Sequence, residues 1–207
     1  MALARGRSYR KIVSMKLCAL LLAAWLPAVA ATAGTAKGKG TGNPSAPILI
    51  EVYSDFECPA CKAFHTQFLP LLMRTYINTG KVYLVDHDMA NHAHSSEATG
   101  YALAAERIGK YDEVADALFQ HQTEWSASGK VWDTVAAVLS PADQKKVAKL
   151  AKDPAVLAEV KAETDTARSK IRQTPTMLVI RGMKEYPFVG APNWEIFRDW
   201  LNELLTK

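Results

Sequence analysis

Cysteine is scarce in this 207-residue chain: there are three, Cys18, Cys58 and Cys61. A long apolar run is missing too. The most apolar stretch, residues 17–29, is about 13 residues long, short of the ~20 that a membrane-spanning helix needs. Acidic residues are absent from the first 33 positions, where Arg5, Arg7, Arg10, Lys11 and Lys16 account for the whole formal excess of +4. Beyond residue 33 there remain 20 Lys plus Arg against 21 Asp plus Glu, a net charge of −1. That balance excludes the basic surface expected of a nucleic-acid or membrane-surface binder. No internal repeat is present, so solenoid and array architectures are excluded.

The N-terminal stretch has the three zones of an export signal: the five basic residues, the apolar run, and small-residue cleavage sites at residues 28–30 or 31–33. Cleavage near Ala33 is expected, with export to the periplasm or outer surface. Lys16 before Cys18 argues against a lipid-modified cysteine, and Met15-Lys16 with the apolar run already forms a complete short signal. About 174 residues remain, enough for one core and not for two ordinary domains. Residues 34–46, rich in Gly, Lys, Thr and Ala, read as a flexible leader. The domain proper is expected over residues 47–207.

After cleavage only Cys58 and Cys61 are left, as Cys58-Pro59-Ala60-Cys61. Closing so small a loop contributes about 2 kcal/mol in the chain-entropy model, against ~4.7 for a loop of about 100 residues, and strain subtracts from that. A staple is therefore a weak explanation; in an oxidising compartment, a tight disulfide is better explained as one built for exchange. The flanks place the pair. Residues 48–53, mostly apolar and β-branched, suit a central strand buried on both faces. Phe64, Phe68, Leu71 and Leu72 fall on one helical face beyond the cysteines. Cys58 thus lies at a strand-to-helix junction, where unsatisfied N–H groups and the helix dipole favour a thiolate. Pro59 occupies a first-turn position that costs nothing. Such settings bring a cysteine pKa from about 8.5 into the range of roughly 3.5 to 7.5. Cys58 is expected to attack, and Cys61, one turn inside, to resolve.

A second motif lies far along the chain, Gln173-Thr174-Pro175-Thr176 before the apolar run 177–180. Proline at the mouth of a strand belongs at a first strand position, a bulge or a tight cis turn. Together with Cys58-Pro59-Ala60-Cys61, it makes the chain resemble the thioredoxin superfamily, and within it the DsbA-like periplasmic thiol:disulfide oxidoreductases. The resemblance covers nearly all of the mature chain. It implies an α/β thioredoxin-like fold: a βαβ half (residues 48–53, 59–78 and 82–85, with a kink at Pro70), a helical insertion over about 91–172, and a ββα half (176–180, 186–189 and 194–205). Helix starts in the insertion are marked by Ser140-Pro141 and Asp153-Pro154, and a stop by Gly109. It further implies a cis Thr174–Pro175 peptide against the dithiol, lining the substrate site and discouraging metal. No cofactor is implied. The expected partners are reduced or misoxidised secreted polypeptides and a membrane redox partner, and the expected state is a monomer, since no room is left for an N-terminal dimerisation module.

The pattern departs from the family in the dipeptide, Pro59-Ala60, which lacks the histidine of strongly oxidising relatives; a milder oxidant is expected. It departs again at Val52, where many relatives carry a buried acid. Glu51, one residue earlier on the opposite strand face, is the substitute proton relay to be tested, against a partly exposed strand-end carboxylate. His65, four residues after Cys61, is a candidate for tuning the buried sulfur, against a packed helix histidine. His87, His92 and His94 give the rival reading, a metallochaperone binding zinc or copper through these residues and the cysteines. The alternative for them is a loop and helix start, with His94 or Ser95 near the cap. A thiol reductase is the other alternative. A redox-inert peptide-binding module fits poorly with two cysteines in so specific a setting. Trp125, Trp132, Tyr101 and Phe119 could rim a peptide groove, but core filling of the insertion accounts for them more simply.

Overall fold

The computed structural model describes residues 39–207; the expected signal, with Cys18, lies outside them. Among the described residues, no helix is long and apolar enough to cross a membrane. The elements follow the expected order with one addition. Strand β1 (Gly40–Gly42) precedes β2 (Ile48–Ser54), a helical run α1 over residues 59–77 and β3 (Val82–Asp88). The insertion contributes α2 (Ser95–Glu106), α3 (Tyr111–Gln120), α4 (Gln122–Ser128), α5 (Val131–Ala137), α6 (Pro141–Leu150) and α7 (Pro154–Lys170). β4 (Thr176–Arg181), β5 (Lys184–Val189) and α8 (Trp194–Thr206) close the chain.

The sheet runs β1-β3-β2-β4-β5, with β2 and β3 parallel and the other neighbours antiparallel. β2 is therefore the central strand, as its composition predicts; only Leu49 and Glu51 in it are part-buried. Pro187 falls on β5, an edge strand, where its missing N–H breaks no central ladder. On one face Ile48, Ile50, Val52, Leu84, Met177 and Val179 meet Phe64, Phe68 and Leu72 of α1 and Phe197 and Leu201 of α8. On the other, Tyr53 and Leu178 meet Ala167 of α7 and Ile171 just beyond it. The insertion has its own core, in which Trp125 (1% exposed) and Phe119 are buried while Tyr101 packs on Trp132. The core-filling account of these aromatics holds.

The cap signals work as read. Ser140 accepts from the N–H of Asp143, Asp153 accepts from that of Ala155, and each is followed by a first-turn proline. α1 is less regular than expected. The single kink at Pro70 is replaced by two wide turns, Phe64–Phe68 and Met73–Ile77, in which Leu69 N–H bonds to Phe64 O and Asn78 N–H to Met73 O. Pro70 has no N–H to give to the residue four before it, so the preceding turn opens to the i→i+5 spacing.

The flexible leader is corrected from Lys39 onward. Gly40–Gly42 pairs antiparallel with the edge of β3, and the Lys39 ammonium, 1% exposed, bonds Asp88 at 2.7 Å and Glu163 at 2.5 Å. Glycine here serves close approach: a Cβ on Gly40 would stand 1.8 Å from the Tyr83 hydroxyl oxygen.

Candidate active site

β2 ends at Ser54, and the chain turns through Asp55, Phe56 and Glu57 into α1. Cys58 N–H bonds Asp55 O at 3.1 Å, while Cys58 O accepts from the N–H groups of Cys61 and Lys62. Cys58 therefore occupies the N-cap position, extended at φ −77° and ψ 121°, with Pro59 next. Its sulfur stands at the mouth of the helix, and the residue is 8% exposed, whereas Cys61 is fully buried. The two are unbridged in this structure.

This geometry splits the two thiols. The Cys58 pKa is drawn down to about 5, first by the hydrogen bond that the Cys61 thiol donates, then by the N–H groups of Cys61 and Ala60 and by Thr174, against an opposing effect of burial. Cys61 goes the other way, raised because its proton is held by the Cys58 thiolate and because it is buried; the N–H of Asp55, 3.4 Å from its sulfur, opposes this. One sulfur is a ready thiolate and leaving group, and its neighbour keeps the proton.

The Thr174–Pro175 peptide is cis, and Cys58 Sγ lies 3.5 Å from Thr174 O. In the thiol form the sulfur donates to that carbonyl; as a thiolate it is favoured by the Thr174 hydroxyl. Pro175 O accepts from Gly190 N–H, anchoring the loop to the end of β5. Four of the sequence candidates, Cys58, Cys61, Thr174 and Pro175, thus meet around one sulfur, with Pro59 and Ala60 forming the turn between the cysteines.

Glu51 and His65 are not brought into that group. Glu51 accepts from the Tyr53 hydroxyl at 2.8 Å and from Lys170 at 3.1 Å. Its pKa is held at about 2, first by the His87 imidazole, whose Nε2 lies 3.7 Å from Oε1, and then by the Tyr53 and Lys170 hydrogen bonds, against burial. Among the described residues, Glu51 is tied to Tyr53 and Lys170 and makes no hydrogen bond to either cysteine, so the structure lends the relay expectation no support. Glu51→Gln is expected to leave the Cys58 thiolate titration, read by absorbance near 240 nm, in place; a displacement of one pH unit would return Glu51 to the site. His65 is captured from the insertion: Nε2 lies 2.7 Å from Asp116 Oδ1 and the ring stacks on Phe119. The i, i+4 spacing from Cys61 held, but its imidazole turns to the stronger partners.

Sequence reasoning missed the residues that hold the turn. Gln122 Nε2 donates to Phe56 O and Cys58 O at 2.7 and 2.9 Å. Asp55, with a fully buried side chain, accepts from Glu57 N–H, Asn91 N–H, Ser95 Oγ and His92 Nδ1. Glu57 accepts from His94 N–H and Ser126 Oγ. Their only local signal was two acids within three residues of Cys58. The histidine cluster does form the loop and helix start, with His94 at the N-cap position of α2. Its rings part: His87 stacks on Tyr53 and His92 binds Asp55. Among the described residues, no three His, Cys, Asp or Glu side chains converge to hold a metal.

A cavity of about 460 Å³ lies between α1, β3 and α3, walled by His65, Asp86 and Phe119 among others, and neither cysteine lines it. A sulfur at a helix mouth under a cis-proline loop, with a helical insertion between the two halves of the sheet, defines a thioredoxin-fold dithiol protein. The chain belongs to the thioredoxin family, whose model matches residues 35–203. It is similar to disulfide bond formation protein D of Bacillus subtilis (strain 168), 25% identical over 148 residues, which cover 67% of this chain and 65% of that protein. It also resembles a putative protein-disulfide oxidoreductase of Rickettsia bellii, 27% identical over 89 residues, 43% of this chain and 34% of that one. The chain thus spans two thirds or less of the length of these relatives. Among solved structures, alpha-DsbA1 of Wolbachia pipientis superimposes with a TM-score of 0.68 at 19% identity, covering 81% of this chain and 90% of that one. Oxidised BdbD of Bacillus subtilis gives 0.65 at 20%, covering 82% and 94%. At such identities, the likeness is one of fold.

Proposed function

We propose that this protein is an exported thiol:disulfide oxidoreductase that donates disulfides to secreted polypeptides through Cys58 and Cys61. The observation that carries the reading is the place of Cys58 at the helix mouth, beside the buried Cys61 and the cis Thr174–Pro175 loop, a setting that draws its pKa down to about 5. A favoured thiolate stabilises the reduced protein, and so makes its disulfide a willing oxidant.

In the donor reaction, a substrate thiolate attacks Cys58 Sγ. The Cys58–Cys61 bond breaks, and its electron pair goes to Cys61, which takes up a proton. A second substrate thiolate attacks the substrate sulfur of the mixed disulfide, and Cys58 leaves as a thiolate. Two substrate thiols are oxidised, and the enzyme disulfide is reduced by two electrons. Thr174 and Pro175 present backbone to an extended substrate beside the sulfur, and Val189, 60% exposed and paired with Thr176, offers an apolar contact. A membrane-bound oxidant restores the disulfide. The names of the Bacillus and Rickettsia relatives support this class.

The deciding measurement is the reduction potential of the protein without residues 1–33, equilibrated against glutathione and read by alkylation of Cys58. A value between about −120 and −180 mV is expected, the range of strong oxidants and isomerases. A value near −270 mV, as in thioredoxin, would overturn donation in favour of a thiol reductase.

A further inference from the structure

The turn that carries the dithiol holds more negative charge than a thiolate tolerates easily. Asp55 brackets both cysteines: its C=O accepts from Cys58 N–H and its N–H donates to Cys61 Sγ. Its side chain is fully buried. Glu57, the residue before Cys58, is itself only 8% exposed. Two buried carboxylates beside a sulfur that must become a third anion raise the cost of that anion. The Pro59-Ala60 dipeptide brings no charge to offset them. Helix-terminal N–H groups answer part of this; a whole positive charge would answer more.

One side chain that can become a cation stands in place. His92, on the loop between β3 and α2, puts Nδ1 2.7 Å from Asp55 Oδ2, and its side chain is 43% exposed, open to protons from solvent. Ser95 fixes that loop, accepting from His92 N–H and donating to Asp55 Oδ1. From the dithiol turn, Asp55 bonds the imidazole, and the charges of Cys58 and Glu57 act on it from further off. From α7, Arg168 holds the adjoining residue, Asn91, at 2.8 Å.

We propose that His92 is a positioning residue for the redox chemistry: protonated and held by Asp55, it supplies beside the Cys58 thiolate the positive charge that Pro59 and Ala60 lack. The proposal rests on the oxidoreductase reading and concerns what sets the potential. The imidazole pKa is raised, first by the Asp55 hydrogen bond and then by the charges of Asp55, Cys58 and Glu57, with burial opposing. Linkage makes that influence reciprocal: if the thiolate raises the His92 pKa, protonated His92 lowers that of Cys58 by the same factor. Below the His92 pKa, Asp55 and His92 form a neutral pair. Above it, Asp55 keeps its bonds from Glu57 N–H, Asn91 N–H and Ser95 Oγ but loses the imidazolium charge, and with it the thiolate loses support. Reduction of the disulfide, which creates the thiolate, therefore draws His92 toward its protonated form.

The test uses the protein without residues 1–33. NMR titration of the His92 ring in both redox states is expected to give a higher pKa in the reduced protein; equal values overturn the proposal. In His92→Gln, the Cys58 pKa should rise by about one unit, and the equilibrium with glutathione should move about tenfold toward the disulfide, or about 30 mV more negative. His92→Arg, which keeps a charge, should restore both. A potential unmoved in His92→Gln, or a shift that His92→Arg fails to reverse, assigns His92 to loop structure and overturns the proposal. Failure of the parent reading would appear separately, as an unmodified protein that does not oxidise reduced substrates.

Discussion

Cys58→Ser is expected to abolish disulfide exchange, while Cys61→Ser, which has no disulfide to donate, still attacks disulfide-bonded substrates through its Cys58 thiolate and accumulates mixed disulfides that are resolved by external thiol alone. The asymmetry follows from the helix mouth. Cys58 sits at the N-cap with its pKa drawn to about 5, whereas Cys61 is fully buried and keeps its proton. A serine at 58 has no sulfur to form the mixed disulfide. A serine at 61 leaves the nucleophile in place and removes only the group that resolves it. Non-reducing gels of each variant with a disulfide-bonded substrate read this directly; equal adducts in both would sink the assignment of roles. Alkylation of Cys58 in the parent protein should reach half its maximal rate near pH 5, against about 8.5 for an ordinary cysteine.

The same depressed pKa predicts how the two redox forms differ in stability. A group whose folded pKa is lowered adds stability that is complete above the unfolded pKa, near 8.5, and is lost as pH falls through about 5. At pH 7 the gain to the reduced protein is roughly 2–3 kcal/mol. The disulfide favours the oxidised protein by about 2 kcal/mol through its small loop, less any strain. The reduced form should therefore be the more stable at pH 8, with the order reversing toward pH 5. Denaturant midpoints of both forms across this range check it, and an oxidised form that is the more stable at pH 8 would contradict it.

What the sequence made legible was what is local. The Cys58-Pro59-Ala60-Cys61 turn, the Ser140-Pro141 and Asp153-Pro154 caps and the apolar runs of β2 and β4 each carry their signal within a few residues. Thr174-Pro175 is equally local, but its place beside Cys58 came from family resemblance. The supports of the turn could not be read this way. Gln122, Ser126 and His92 reach it from 37 or more positions away, by the packing of the insertion. Glu51 was misassigned for the same reason, since its partner Lys170 is 119 positions along the chain. Composition misled at residues 39–42, because a glycine that gives flexibility and one that admits a tyrosine hydroxyl look alike in a sequence.

That last segment carries the largest expected effect on stability. Lys39→Met should destabilise the protein by about 3–5 kcal/mol, the usual cost of removing one member of a buried ion pair and leaving its partner uncompensated. Lys39 is enclosed, and Asp88 is nearly so at 4% side-chain exposure, with Glu163 at 19%. Methionine fills the volume of the lysine stem, so the loss is one of charge more than of packing. Desolvation was already paid for in the native fold by a cation that two carboxylates share, and the pKa of Glu163 is raised by burial even with the lysine present. Without Lys39, whose charge now holds it down, Glu163 should be protonated at still higher pH, so the deficit should shrink as pH falls toward 5. Lys161→Ala, which breaks an exposed Lys161–Asp165 pair on α7, is the control and should cost below about 1 kcal/mol. A Lys39→Met loss no greater than that of Lys161→Ala would mean that the triad does not hold. Asp88 pairs with Ser54, the last residue before the dithiol turn, and Glu163 lies on α7. Lys39 thus ties the leading segment, the end of the central sheet and the insertion together directly behind the redox site, and its loss should loosen that junction before the rest of the fold.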